Sequence, residues 1–265
     1  GNLCKLKPSS ENRGIVIKRI DLPEQPEFDL NIENVLGILP GLQNDWLDLA
    51  SYLPLLAVVR ALDIDNLLIE SNSRSFPDFG NKASALLFLV QSAGVKSQNA
   101  LKKTIELHAP LMVSAETGGW VRLMPSEKVR MAIISSETND KTQHIALKNM
   151  IVDFTAAYFT SELCHTRSNE AIEQEVKSIM AFENEQRLYG RLAQEKTQRA
   201  IFEAFSVLSL LPYTLNADYV TFNSSTENNL AMLKVVMEAL LQKEGCAQVV
   251  SQKSLSLQPN VAAVS

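Results

Sequence analysis

Glu162, Cys164 and His165 are side chains whose types and spacing could support chemistry. Glu162 and His165 have the Glu-x-x-His spacing that places two metal ligands on one face of a helix. A di-iron site needs two such pairs and two further Glu ligands, and the sequence holds a single pair. Cys164 precedes His165 directly, so on a helix the two side chains diverge and do not form a nucleophile–base pair. We therefore expect no metal and no cofactor here, and we interpret Cys164 as a small apolar residue.

Asp63 and Asp65 follow an apolar run over residues 55–62 that Arg60 interrupts. This Asp-Ile-Asp sequence resembles the first motif of haloacid-dehalogenase-type phosphatases, an apolar strand followed by Asp-x-Asp-x-Thr, although Leu67 stands where the motif has Thr. The resemblance implies a Mg²⁺-dependent phosphatase in which Asp63 is the nucleophile and Asp65 is the acid/base. Ser135 follows two isoleucines and looks like the second motif of that family.

The same aspartates also fit a junction between two helices, in which Asp65 or Asn66 caps a helix over residues 67–70. We favour this interpretation because residues after 136 predict successive helices instead of further strand–helix units. The sequence therefore predicts no catalytic residues, with Asp63, Asp65 and Ser135 kept as the alternative.

The remaining candidate functional residues are side chains that could contact a protein partner. Trp46, Phe76 and Phe79 lie near predicted loops or helix starts, where large aromatic side chains can anchor a partner. Asp45 and Asp48 flank Trp46 and Leu47 in an acidic segment. We predict that these three aromatic residues and two aspartates bind another protein.

The composition excludes several classes of protein. The net charge is −5, and residues 21–80 carry eleven acidic side chains against two basic ones, so no basic stripe suits a nucleic acid. Only 10 glycines are present, which disfavours glycine-rich phosphate loops. The apolar run at residues 53–59 is far shorter than the roughly 20 residues that a bilayer span needs, so we expect no membrane insertion. Three widely spaced cysteines and the absence of an apolar signal region at the start favour the cytoplasm.

The hydrophobic pattern is mostly helical. Strands are predicted at residues 15–20, at 111–116 and 120–124 as a glycine-turn hairpin, and at 129–135. Helices are predicted from residue 42, with Pro54 in a first turn, and across residues 81–94, 98–108, 142–163, 169–211 with a break at Gly190, and 226–244. This pattern predicts an α+β protein that is predominantly α-helical, with helical bundle-like packing and one small antiparallel sheet of about three or four strands.

Two regions and a tail are predicted: residues 1–138 with the small sheet, a helical region over 139–245, and a loose tail over 246–265, unless the first two form one continuous domain. We expect a non-enzymatic protein that works through protein–protein contacts, as an adaptor or structural subunit of a larger assembly, with bacterial secretion machines as an analogous setting. The phosphatase is the first alternative. A helical DNA-binding regulator is the second, and the net charge disfavours it.

Overall fold

Two β-sheets and seven α-helices are present in the part of the chain that the computed structural model describes. The described residues are 2–39, 41–79, 83–115, 118–138, 145–180, 186–223, 225–242 and 245–252. Among the helices in these ranges, none combines the length and the low charge needed to cross a bilayer.

The first sheet has four strands in the order β1-β4-β2-β3. These are β1 (Cys4–Pro8), β2 (Ile15–Arg19), β3 (Glu27–Asp29) and β4 (Leu67–Ser71). β2 and β4 are parallel, whereas β1 pairs antiparallel with β4 and β3 with β2. Parallel neighbours require a crossover, and the chain between β2 and β4 supplies it with helix α2 (Leu53–Ala61).

The second sheet has seven strands and is built around a long strand near the end of the chain. Its strands are β5 (Lys102–Leu107), β6 (Leu111–Ser114), β7 (Trp120–Pro125), β8 (Arg130–Thr138), β9 (Ile145–Asp153), β10 (Thr214–Phe222) and β11 (Ala247–Gln252). β10 pairs with β5 at its first three residues and with β7 and β8 along its second half. β6–β7 and β8–β9 are antiparallel pairs, and β11 pairs antiparallel with β5.

The other helices are α1 (Ile32–Gly37), α3 (Ala83–Ala93), α4 (Ala156–Ser161), α5 (Asn169–Met180), α6 (Gln186–Leu208) and α7 (Thr226–Gln242), with 3-10 helices at Leu49–Tyr52 and Leu163–His165. α2 contacts α3 and α6, while α7 lies against β6 and β7. Helix α2, which lies in the crossover between β2 and β4, therefore packs against α6, and α1 makes a second contact with the later helices through α7.

One apolar core runs through both sheets. Ile17 and Ile69 of the first sheet, Ile105 and Leu123 of the second, and Leu55 of α2 are all fully buried members of it. Because these side chains belong to one core, both sheets bury apolar residues in the same cluster, out of contact with water.

The prediction of a predominantly helical protein with one small sheet is wrong. Residues 102–107 and 145–153 are strands inside predicted helices, and Thr214–Phe222 is a strand that no predicted element covered. Residues 247–252, within the predicted loose tail, form β11. Apolar residues recur at three- and four-residue spacings around positions 147–158, which imitates a helix although part of this segment extends as β9.

Several local predictions are confirmed. β2 lies where the β-branched run predicted a strand, and the β6–β7 hairpin and β8 lie where the period of two predicted strands. Pro54 lies in the first turn of α2, where its missing N–H leaves no helical hydrogen bond unmade. These elements have strong local signals, namely β-branched alternation, a glycine turn and a proline at a helix start.

Candidate functional site

Asp63 and Asp65 lie in the turn between α2 and β4. α2 ends at Ala61 and β4 begins at Leu67, so the aspartates precede a strand instead of ending one. Ser135 lies on β8 of the other sheet, paired in register with Lys148. The phosphatase motif needs its aspartates directly after an apolar strand, and the run over residues 55–62 is mainly helical. The cap interpretation is also wrong, because residues 67–71 are a strand.

Asp63 ends helix α2 by a backbone motif. Its φ angle is 58°, its N–H donates to the Arg60 carbonyl at 3.1 Å, and the Ile64 N–H donates to the Val59 carbonyl at 3.0 Å. These two bonds are those of a Schellman motif, with Asp63 at the position that favours a left-handed residue. The Asp63 carboxylate forms an ion pair with Lys102. The role of Asp63 in this geometry is therefore to terminate the helix.

Arg60 lies at the same end of α2 and is buried. Its Nη2 donates to the Leu211 and Pro212 carbonyls, each at 2.8 Å, and its Nη1 lies 3.7 Å from the Asp65 carboxylate. Burial lowers the pKa of Arg60, and the charge of Asp65 opposes this. Burial likewise raises the pKa of Asp65, opposed by Arg60. Arg60 thus ties α2 to the chain that follows α6.

Glu162 and His165 do not share a helical face. α4 ends at Ser161, and the 3-10 helix begins at Leu163, with Glu162 in a non-helical conformation between them. The Glu162 carboxylate accepts a hydrogen bond from the Gln198 amide at 3.1 Å. Cys164 is buried, and burial raises the pKa of its thiol. His144, one of the three histidines of the sequence, lies outside the described residues.

A cavity opens beside the other end of α2, its amino-terminal end. We call it the aromatic cleft. It has a volume of about 220 Å³ and is lined by Ala50, Ser51, Pro54, Phe76, Pro77, Asp78, Phe79 and Leu86. Four elements supply these residues: the first 3-10 helix, the first turn of α2, the loop after β4, and α3.

Hydrogen bonds fix the polar wall of the aromatic cleft. The Ser51 hydroxyl donates to the Asp48 carbonyl at 2.7 Å and accepts from the Phe76 N–H at 2.7 Å. The Ser75 hydroxyl donates to the Asp48 carboxylate at 3.0 Å, and the Asp48 N–H donates to the Arg74 carbonyl at 3.0 Å. Asp48 therefore joins the loop before α2 to the loop after β4.

Two aromatic rings, Phe76 and Phe79, line the aromatic cleft, and the ring of Tyr52 packs behind Phe76. Tyr52 and Phe76 have ring centroids 5.2 Å apart, and Phe76 and Phe79 have centroids 5.7 Å apart. Tyr52 is fully buried, and burial raises the pKa of its hydroxyl. Phe79 is 39% exposed. The row of rings therefore runs from the core outward to the surface, and its outer end can contact a ligand.

The structure brings three of the five predicted partner-binding residues together. Phe76 and Phe79 line the aromatic cleft, and Asp48 holds its wall. Trp46 packs edge-on against Phe28, with ring centroids 6.4 Å apart, and Asp45 is exposed before it. The binding of another protein by these residues stays a prediction. Sequence reasoning missed Ser51, Asp78 and Leu86 as site residues. Asp78 had a signal in the Phe-Pro-Asp-Phe sequence of the loop, whereas Ser51 and Leu86 had none.

Comparison with known families gives the decisive match. The family model for LpxC, UDP-3-O-acyl N-acetylglycosamine deacetylase, matches residues 2–187, which is more than half of the chain. The chain belongs to the LpxC family. The matched region includes α2 and every residue that lines the aromatic cleft.

Individual members of the LpxC family show the extent of the similarity. The UDP-3-O-acyl-N-acetylglucosamine deacetylase of Legionella pneumophila (strain Corby) is 30% identical over 172 residues, covering 63% of this chain and 55% of the relative. The Hydrogenovibrio crunogenus deacetylase is 28% identical over 173 residues, covering 63% and 56%. The Nitrosococcus oceani deacetylase is 25% identical over 256 residues, covering 88% and 82%. The chain thus spans about half the length of the first two relatives.

Membership of the LpxC family overturns the predicted function. The prediction of a non-enzymatic adaptor or complex subunit is wrong, because the family and the relatives are named as deacetylases. The phosphatase alternative fails with it, as the family match and the position of Asp63 both disagree with it. The acidic segment over residues 21–80 supplies strands β3 and β4 and the loops of the aromatic cleft.

Proposed function

We propose that the chain acts on UDP-3-O-acyl-N-acetylglucosamine and removes its N-acetyl group, as the names of its relatives state. The family match over residues 2–187 carries this proposal. The match includes residues 50–54 and 76–86, which supply the lining of the aromatic cleft. The cleft therefore belongs to the region that the chain shares with the family.

The reaction adds water across an amide bond. The C–N bond of the acetamide breaks, the hydroxyl of water joins the acetyl carbon to give acetate, and the nitrogen leaves as the amine of the sugar. Such a step needs a base that takes a proton from water, a nucleophile or a metal-bound water. Within the described residues, no three His, Cys, Asp or Glu side chains come together to hold an ion, so the proposal includes no step through a metal.

Asp78 is the residue that could serve as the base. It is the one charged residue among the described side chains that line the aromatic cleft. Ser51, the lining hydroxyl, already donates to the Asp48 carbonyl and accepts from the Phe76 N–H, so its role is to shape the loop. The proposed function therefore assigns proton transfer to the Asp78 carboxylate.

The apolar lining of the aromatic cleft favours a second candidate function, in which the chain binds a substrate of this class without hydrolysing it. Five of its eight lining residues are proline, phenylalanine or leucine, and these provide contact area for a ligand but no proton transfer. Both candidates share the ligand, so a single experiment separates them.

The experiment incubates the full chain with UDP-3-O-acyl-N-acetylglucosamine and follows acetate release by NMR, with calorimetric binding in parallel. The first candidate predicts acetate release that Asp78→Asn lowers about 100-fold or more while binding is kept. Binding without acetate release by the unaltered chain supports the second candidate. Absence of both binding and release contradicts the proposal.

We also propose that the chain works in the cytoplasm. Its three cysteines are free, which suits a reducing compartment. Expression with a fluorescent tag and fractionation tests this location, and recovery in a secreted fraction contradicts it.

A further inference from the structure

The second sheet has one face that packs on the core and one that does not. Leu123 of β7, Tyr219 of β10 and Met131 of β8 are buried members of the core. Alternate residues of the same strands point to the opposite side of the sheet, and we call that side the outer face. A sheet with one face in solvent normally carries polar side chains on that face.

The outer face is apolar across five neighbouring strands. The pairing register aligns its residues into rows over β6, β7, β10, β8 and β9, in that spatial order. One row consists of Met112, Arg122, Val220, Ala132 and Ile151. The adjacent row consists of Ser114, Trp120, Phe222, Ile134 and Asn149. Seven of these ten residues are apolar, and Arg122 is the one that carries a charge.

These apolar side chains form a surface of their own. Within the described part of the chain, the core cluster includes none of the seven. The rings of Trp120 and Phe222 stack on each other, with centroids 6.3 Å apart. Met112 is 56% exposed and Ile151 is 72% exposed, at the two ends of the same row. Because covering apolar area of this kind is favourable, such a patch marks a surface for contact with another molecule.

The layout of the outer face suits a second copy of the chain. When a two-fold axis runs parallel to β10 between two facing sheets, β10 lies over β10, and β6 of each copy lies over β9 of the other. Met112 then lies opposite Ile151 of the second copy, and this contact occurs twice. The two most exposed apolar side chains of the row therefore cover each other.

The charges of the outer face permit this contact. Each chain has a net charge of −5, yet the two apolar rows contain no carboxylate, so copies that meet here bring no like carboxylates together. Arg122 lies on β7, next to the edge strand β6, where a long side chain can reach water at the rim. A third row at the rim contains the ion pair between Arg130 and Asp218.

We propose that the chain forms a two-fold symmetric dimer through the outer face of its second sheet. Five strands about 4.8 Å apart and three rows about 6.8 Å apart give a footprint on the order of 500 Å². The relief of the side chains adds to this area, and the smallest specific interfaces bury about 600 Å² per partner. We therefore expect a reversible dimer with a dissociation constant on the order of micromolar. This inference does not depend on the proposed function.

The test is sedimentation equilibrium of the full chain between about 1 and about 100 μM, a range that brackets the expected dissociation constant. The mass should rise from 29.4 kDa toward twice that value. Met112→Lys and Ile151→Lys should each weaken association about tenfold or more, since both place a charge in the apolar contact. Phe88→Lys is the matched control, because Phe88 is 69% exposed on α3, and it should leave association unchanged.

A combined variant tests the two-fold arrangement itself. Met112→Lys together with Ile151→Glu in one chain sets an ammonium opposite a carboxylate at both contacts, and it should associate more tightly than either Met112→Lys or Ile151→Lys. Circular dichroism checks the fold of each variant. In Trp46→Phe the one remaining tryptophan is Trp120, and its emission should shift to shorter wavelength as the concentration rises.

Several results would overturn the dimer. These are a monomeric mass over the whole range, an equal loss of association in Phe88→Lys, and Trp120 emission that does not change with concentration. Binding of a monomeric chain to phosphatidylcholine vesicles would assign the outer face to a lipid surface and overturn it as well. Failure of the combined variant to regain association would overturn the two-fold arrangement.

Discussion

The two ends of helix α2 differ in what they are built to do. At its carboxyl end, Arg60 is buried against the Leu211 and Pro212 carbonyls, and Asp63 terminates the helix. At its amino end, Pro54 opens the helix beside a cavity walled by aromatic rings, with Phe79 partly exposed. The charged end is closed and holds parts of the chain together, whereas the apolar end is open.

This difference shows that charged residues do not by themselves mark a functional site. Asp63 and Asp65 have the residue types of a catalytic pair, yet their partners are Lys102 and Arg60 of the same chain. Phe76 and Phe79 carry no reactive group, yet they line the cavity that a ligand can enter. Changes at the carboxyl end should therefore alter stability, and changes at the amino end should alter binding.

Removal of the buried guanidinium should have the largest effect. Arg60→Ala leaves two carbonyls without their donor and Asp65 without its counter-charge, so the free energy of unfolding should fall by about 3–5 kcal/mol. Urea denaturation measures this loss. Lys7→Ala, which breaks an ion pair with Glu70 at the surface, is the control and should lose much less. An Arg60→Ala loss as small as that of the control would show that the carboxyl end is not a structural joint.

Removal of the Ser51 hydroxyl should lower the free energy of unfolding by less than removal of the Arg60 guanidinium. Ser51→Ala deprives the Phe76 N–H of its acceptor, which should lower the free energy of unfolding by about 1 kcal/mol. It should also loosen the wall of the cleft and weaken binding of acylated nucleotides. Ser92→Ala, at an exposed position of α3, should change stability by no more than about 0.5 kcal/mol. Unchanged ligand affinity in Ser51→Ala would contradict the role of this hydrogen bond in shaping the cleft.

The left-handed conformation of Asp63 gives a test with a small effect of known sign. Asp63→Gly should keep or slightly raise stability, because glycine removes a conformational cost of about 1 kcal/mol at φ 58°. Asp63→Val should lower stability, since a β-branched residue disfavours this conformation. Thermal unfolding of the two variants compares them. A loss of deacetylation in Asp63→Gly at full stability is the result that would return Asp63 to the reaction.

The pH-dependent contribution of Asp65 to the free energy of unfolding should be the smallest of these effects. Burial raises the pKa of Asp65, so the folded state binds this proton more tightly than the unfolded state. The stability associated with Asp65 should therefore fall as pH rises from about 3.9, its unfolded value, through its raised folded value. Asp65→Asn lacks this decline, so its stability relative to the unaltered chain should rise over that interval.

Asp218→Asn is the control of opposite sign for the Asp65 experiment. The Arg130 guanidinium lowers the pKa of Asp218, so this carboxylate contributes stability that is lost as pH falls. Relative to the unaltered chain, Asp218→Asn should therefore lose stability as pH rises from the lowered folded pKa of Asp218 to about 3.9, the unfolded value, which is the interval directly below that of Asp65. Denaturation curves at several pH values should show the two opposite slopes, and equal slopes would contradict the assignment for Asp65.

The sequence predicted the elements whose signals are local. A β-branched run identified β2, the change to a period of two identified β8, and Pro54 identified the start of α2. β10 also alternates strictly between buried and less buried residues, so Leu215, Ala217 and Tyr219 carry a local signal for a strand. β5 and β9 were not recognisable in this way, because their apolar residues do not alternate simply and helix-like spacings coincide with them.

The site was harder to predict for a different reason. The aromatic cleft joins residues 50–54 to residues 76–86, and only the parallel pairing of β2 with β4 around α2 brings these segments together. The aromatic pair of the loop was identified as a candidate, but Ser51 and Leu86 carry no signal of their own. A sequence pattern reports spacing within one element, whereas this cavity depends on contacts between four.

The position of the bound substrate tests the central claim most directly. An analogue of UDP-3-O-acyl-N-acetylglucosamine whose N-acyl group carries a photoreactive diazirine is irradiated on the full chain, and mass spectrometry maps the attached residues. The label should fall on the residues that line the aromatic cleft and should disappear in Ala50→Phe, whose added ring fills the cavity. Labelling concentrated at residues 60–66, or on the strands of the second sheet, would contradict the assignment of the binding site to the amino end of α2.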